Sequence, residues 1–165
     1  MVIFVTGKRH CGKTAFIKKL AETLKKSGVA AAGILSPAEF VKGEKTRYYA
    51  QSVRTGEKKH LLDVSPRGPV IDKKGFAFAN RVLARAQKAK TVIIDEFGPI
   101  ELSERGFFNQ ARKLCRQRSK TVIITVRPGL IAASAQKLEI TGYKIIDLDL
   151  KIPVSKHLVK LNKCL

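Results

Sequence analysis

Acidic residues are scarce in this chain of 165 residues: 13 aspartates and glutamates face 33 lysines and arginines, for a formal net charge of +20. Heat-adapted surfaces enrich lysine together with glutamate, so this imbalance is not the mark of an ion-pair network. Cysteine is scarce too. Cys11, Cys115 and Cys164 are odd in number and far apart, which excludes a disulfide framework and the spacing of a metal site and leaves isolated reduced thiols. No apolar run approaches the roughly 20 residues of a membrane span, and the N-terminal apolar stretch is too short, and lacks the flanks, for a signal peptide. A cytoplasmic protein with no membrane partner is expected. Repeats and low-complexity segments are absent, as are an RNA-binding aromatic motif, a zinc finger and a helix-turn-helix signature.

What is present suits one compact unit. A hydrophobic content of 44% and this length can bury a sizeable core, so a single domain over residues 1–165 is expected. The basic residues recur in clusters such as "GEKKH", "RVLARAQKAK" and "RKLCRQRSK", spread over several elements instead of one tail. Such a surface attracts polyanions. A solvated basic face with no dedicated partner and a face that contacts nucleic acid are both consistent with it.

The stretch "VTGKRHCGKTAF" carries the first chemical signal. Gly7, Gly12, Lys13 and Thr14 fill the template G-x-x-x-x-G-K-[S/T], in which backbone N–H groups wrap phosphates, the lysine reaches the terminal phosphates and the hydroxyl holds Mg²⁺. Lys8, Arg9, His10, Cys11 and Ala15 complete the candidate phosphate-binding segment. Residues 1–6, "MVIFVT", suit a buried parallel strand, and residues 15–26 place Phe16, Ile17, Leu20 and Leu24 at helical spacing. That order sets a helix N-terminus against the phosphates, where unpaired N–H groups and the helix dipole favour an anion.

Further along, residues 29–36 read as a second strand closed by Pro37, and residues 46–53 and 58–62 as a β-hairpin around the turn Thr55-Gly56-Glu57. Residues 65–75, "SPRGPVIDKKG", read as a loop, and residues 76–88 as a helix. The second chemical signal is "TVIIDEFGPIEL", residues 91–102: an apolar strand ending in two acids. Asp95 is the candidate second Mg²⁺ ligand, and Glu96 the candidate general base beside it. A further strand over residues 121–126 runs into Arg127, a candidate for stabilising phosphoryl charge, with Thr125 directed to the same region. Residues 144–148 read as the last strand, before a short basic amphipathic segment.

With "GKRHCGKT", "TGE", "DEFGPIEL", the helix near "GFF" and the strand running into "VRP", the chain resembles the THEP-type, or cancer-related, nucleoside-triphosphatase family over residues 1 to about 130. The resemblance implies a three-layer, RecA-like α/β P-loop NTPase fold, with a mainly parallel sheet, helices on both faces and a β-hairpin insert. It implies slow Mg²⁺-dependent hydrolysis of nucleoside triphosphates with little base preference, and it adds Glu101 to the candidate site. No N-K-x-D stretch is present to read guanine, in keeping with that lack of preference. Two rival readings are a nucleotide-binding adaptor similar to the MobB proteins and a nucleic-acid-associated ATPase that works through its basic surface.

Overall fold

A computed structural model of the chain describes residues 1–150. Its elements in chain order are β1 (Val2–Thr6), α1 (Lys13–Lys26), β2 (Ala31–Leu35), β3 (Ala38–Val41), β4 (Glu44–Ser52), β5 (Lys58–Ser65), β6 (Gly68–Ile71), α2 (Lys73–Ala86), β7 (Thr91–Ile94), α3 (Pro99–Leu102), α4 (Phe108–Cys115), β8 (Thr121–Thr125), a 3-10 turn (Pro128–Leu130), α5 (Ile131–Lys137) and β9 (Tyr143–Asp147).

The apolar runs dictate the layering. Successive side chains of a strand point to opposite faces, so a strand that is apolar throughout must be covered on both. Ile3, Val5, Ile93 and Ile123 accordingly enter one core, while Val2, Phe4, Val92, Ile94, Val122 and Ile124 enter another. The first core is closed by Phe16, Ile17, Leu20 and Leu24 of α1, at the spacing the sequence shows. The second is closed from the opposite face by α2, α4 and the end of α5 through Phe78, Leu83, Leu114 and Leu138. Each such buried side chain contributes about 1.5–3 kcal/mol of hydrophobic stabilisation. Three layers result.

The strands lie in the order β6-β5-β4-β2-β7-β8-β1-β9, with β3 also beside β4. From β2 to β9 the pairings are parallel, and β3 to β6 form an antiparallel extension on the β2 edge. The expected hairpin is the β4–β5 pair, but the insert is larger than the hairpin alone. Residues 65–75 are not all loop, because Gly68–Ile71 pair with β5 as β6. Pro69 is tolerated there since β6 is the edge of the sheet, where a missing N–H breaks no inner ladder. β3 begins directly after Pro37, and its side chains are mostly exposed, so no apolar alternation marks it.

Element ends shift in ways that local chemistry explains. The second helix starts at Lys73, before residue 76, because the Asp72 carboxylate accepts the N–H groups of Lys74 at 2.8 Å and Gly75 at 3.3 Å and caps it. Helix α1 starts at Lys13, inside the phosphate-loop motif. The basic segment after β9, and Cys164 with it, lie outside the described residues. Among the described residues, no helix is long and apolar enough to cross a membrane.

Candidate active site

The carboxyl ends of β1, β7 and β8 lie side by side, and the loop after each contributes to one cleft. After β1 the chain turns through residues 7–12 into α1. Gly7 has φ 147°, and a Cβ there would stand 2.5 Å from Cys11 Sγ, so the tight loop admits only glycine at this point. Gly12, at φ 89°, makes the left-handed step that starts the helix, and no side chain caps the first N–H groups of α1. Its first turn holds no acid, which leaves the positive end of the helix facing the cleft. The Lys13 ammonium crosses the loop and donates to the carbonyls of Gly7 at 2.7 Å and Lys8 at 2.9 Å, with Cys11 Sγ at 3.8 Å.

The candidate segment divides into two groups. Arg9, His10, Gly12, Lys13, Thr14 and Ala15 face the cleft. Gly7, Lys8 and Cys11 build the loop beneath: the Lys8 N–H donates to Asp149 Oδ2 at 2.8 Å, and the Cys11 N–H to the Lys8 carbonyl at 3.2 Å. Asp149 was not foreseeable from the loop's own sequence.

At the end of β7 two neighbouring acids part company. Asp95 is fully buried: its Oδ1 accepts the Thr125 hydroxyl at 2.7 Å and its Oδ2 the Ser36 N–H at 3.0 Å. Burial pushes its carboxyl above the ordinary range, against hydrogen bonds from Thr125, Ser36 and the Thr14 hydroxyl, while the nearby Glu96 charge pushes the same way as burial. Thr14 thus lines the cleft with the Asp95 carboxyl buried close beside it. A hydroxyl beside a desolvated carboxylate, with no ion pair to Asp95 among the described residues, is a hard-oxygen donor pair that fits Mg²⁺, whose other ligands are ordinarily water and phosphate.

Glu96 instead takes φ 65°, a left-handed conformation unusual for a residue with a Cβ and worth about 1–3 kcal/mol of strain. The turn is held by Thr125, whose hydroxyl accepts the Glu96 N–H at 2.6 Å and whose carbonyl accepts the Phe97 N–H at 3.0 Å. The side chain of Glu96 is consequently carried onto the cleft wall, opposite in direction to Asp95. There Arg127 Nη2 stands 3.6 Å from Glu96 Oε1. Thr125 does not reach the cleft as the sequence suggested, because its hydroxyl is committed to both acids.

Lys18 and Tyr48 are cleft residues that the motifs do not reveal. Tyr48 comes from β4, where alternate residues Tyr48, Ala50 and Ser52 point inward, so the strand pattern holds the only sequence signal for it. Burial first, then the charge of Glu96, raises its phenol pKa, while Arg127 and Arg9 act in the opposite direction. The cleft measures about 460 Å³, a volume in the usual range for small-molecule sites. Glu101 lies outside it, 3% exposed beside a second cavity, with its Oε2 accepting the Gly98 N–H at 3.1 Å. Burial pushes its carboxyl up to about 7.

A family model described as NTPase matches residues 2–151. The nucleoside-triphosphatase THEP1 of Methanothermobacter thermautotrophicus is 30% identical over 114 residues, covering 65% of this chain and 66% of the relative. That of Pyrococcus abyssi is 29% identical over 138 residues, covering 79% and 76%. A solution structure of a human cancer-related nucleoside triphosphatase has the same fold, with TM-score 0.77 at 23% identity, covering 98% of this chain and 95% of that one. The chain therefore belongs to the NTPase family and is an enzyme of the nucleoside-triphosphatase class.

Proposed function

We propose that the cleft hydrolyses nucleoside triphosphates to diphosphate and phosphate in a Mg²⁺-dependent reaction with little base preference. The observation that carries this reading is the divergence of the two acids. Asp95 turns inward to the Thr14 hydroxyl, and Glu96 turns outward to the cleft and Arg127. Lys13 and the N–H groups at the start of α1 hold the β- and γ-phosphates. Thr14 and Asp95 would hold a Mg²⁺ ion, which would supply neutralisation of the triphosphate charge. Glu96 orients the attacking water and takes its proton as the water oxygen bonds to the γ-phosphorus. The bond to the bridging oxygen breaks, and its electron pair leaves with the diphosphate. Arg127 offsets the negative charge that gathers on the transferring group.

The test is phosphate release from ATP, GTP, CTP and UTP, with Mg²⁺ and with chelator. Comparable rates for all four that vanish with chelator are expected. Release that survives chelation or is confined to one base would contradict the reading, and binding without release would favour the adaptor reading. The formal charge of +20 favours a second role, contact with nucleic acid. It requires an affinity for duplex DNA or RNA that falls steeply as salt rises, and a flat salt response excludes it.

A further inference from the structure

A second cavity of about 260 Å³ adjoins the phosphate cleft and shares Tyr48, Glu96 and Arg127 with it. Its depth is apolar. Leu61 and Leu62 of β5 form one wall, and the rings of Phe76 and Phe107, stacked with centroids 6.3 Å apart, form another. Pro69 of the edge strand and Ile100 of α3 complete the lining at the rim.

Hydrolysis explains none of this. One water at Glu96 is sufficient for it, and the phosphate chain is accommodated by the loop in the neighbouring cleft. Protein interiors leave few voids larger than a water molecule, so a retained apolar chamber that opens at the reacting end of a phosphate site has the form of a ligand site. Its volume lies just below the roughly 300–1,000 Å³ of drug-sized pockets, which suits a molecule of one or two rings. The charges select further. At the mouth the Glu96 and Arg127 charges offset each other at 3.6 Å, and burial favours the neutral form of Glu101, so an ion of either sign is disfavoured, while the aromatic and aliphatic walls favour an apolar guest.

Building on the hydrolytic reading above, we propose that this cavity seats a small, uncharged, mostly apolar alcohol with its hydroxyl at Glu96, and that the protein transfers the γ-phosphoryl group to it. The alcohol oxygen takes the place of water. Its bond to the γ-phosphorus forms, the bridging P–O bond breaks with the electron pair leaving on the diphosphate, and the hydroxyl proton passes to Glu96 and then to solvent. Products are a monophosphate ester and the nucleoside diphosphate, so atoms and electrons balance without any further reactant. Glu96 and Arg127 serve both acceptors, and the cavity decides between them by position.

The experiment follows the products of Mg-ATP turnover by phosphorus NMR with the full chain, using benzyl alcohol and naphthalenemethanol as acceptor probes and ethanol as a control too small to fill the chamber. The arylmethyl phosphate ester is expected in excess over the alcohol-to-water mole ratio, with a yield that saturates with alcohol. Ethanol should give no such excess. Leu61→Trp, which fills the chamber from β5, should cut ester formation on the order of 100-fold, as misplacement of a reacting group does, while phosphate release to water persists. Should that variant not fold, Ile100→Trp fills the chamber from the opposite rim, and the wild-type product ratio stands without either. Inorganic phosphate as the sole product, or ester yields equal for ethanol and the arylmethanols, would overturn the proposal while leaving hydrolysis intact. Absence of both ester and phosphate would overturn the proposal together with the reading beneath it.

Discussion

Lys13 joins the loop to its chemistry. Its ammonium already lies among the loop carbonyls of Gly7 and Lys8, so the charge is held at the mouth of the helix before any phosphate arrives. Hydrogen bonds to charged groups contribute about 1.5–3 kcal/mol, so Lys13→Ala should weaken nucleotide affinity by about 10- to 100-fold and abolish turnover. Calorimetry that finds affinity unchanged would remove Lys13 from the site. Cys11 offers a probe of the same loop that leaves the fold alone. Both thiols are partly exposed, but the Cys11 sulfur lies 3.8 Å from the Lys13 ammonium, whereas desolvation pushes the Cys115 thiol up to about 12 and holds it protonated. Alkylation near neutral pH followed by mass spectrometry should label Cys11 well ahead of Cys115, and Mg-ATP should slow only the former. Equal labelling of the two, or labelling of Cys11 indifferent to nucleotide, would contradict the loop geometry. The residues visible in advance are those that a local pattern carries: Lys13, Thr14, Asp95 and Glu96 in their motifs, and Arg127 at the end of its strand. Tyr48, Ser36 and Asp149 were not, because each reaches the site from a distant segment through pairing of the sheet, and no short pattern encodes that meeting.

Among the elements, the short helix α3 and the turn after it depend on one buried acid. Glu101 accepts the Gly98 N–H that opens the helix, and Gly106, at φ 63°, leaves room beside the carboxyl that a Cβ would take. Its carboxyl is pushed from 4.5 up to about 7, first by burial. The folded protein therefore holds a proton on Glu101 that the unfolded chain releases between those two values. The stabilisation is full below pH 4.5 and is lost as the pH rises through about 7, on the order of 3 kcal/mol in total. Glu101→Gln has no proton to lose, so urea denaturation should show the wild type losing more stability than the variant across that window. Parallel pH profiles for the two would contradict this account of the buried carboxyl. Sequence pattern located the helices and strands with strong periodicity, such as α1 and β7, closely. It missed β3 and β6 for physical reasons: β3 buries no continuous face, and β6 carries a proline that only its edge position allows.

For the molecule as a whole, the parallel strands from β2 to β9 do what both phosphate motifs require, bringing the ends of β1 and β7 to the same side of one sheet. Two motifs some 80 residues apart could be read as one site because parallel strands with crossover connections put their carboxyl ends together. The antiparallel extension was legible only as a hairpin, yet it supplies Tyr48, and with Leu61 and Leu62 it walls the second cavity. The two neighbouring acids, on the proposed mechanism, have separate duties. Glu96→Gln keeps the shape of the side chain and loses its basic oxygen, so nucleotide affinity should be retained while the rate falls by about 10²-fold or more. Asp95→Asn, in contrast, should impair Mg²⁺-dependent binding itself. Phosphate release and nucleotide affinity measured on Glu96→Gln beside the wild type give the most direct test. Intact binding with turnover nearly abolished is the result predicted, and a variant that keeps more than about half of the wild-type rate would contradict the role of Glu96 as general base.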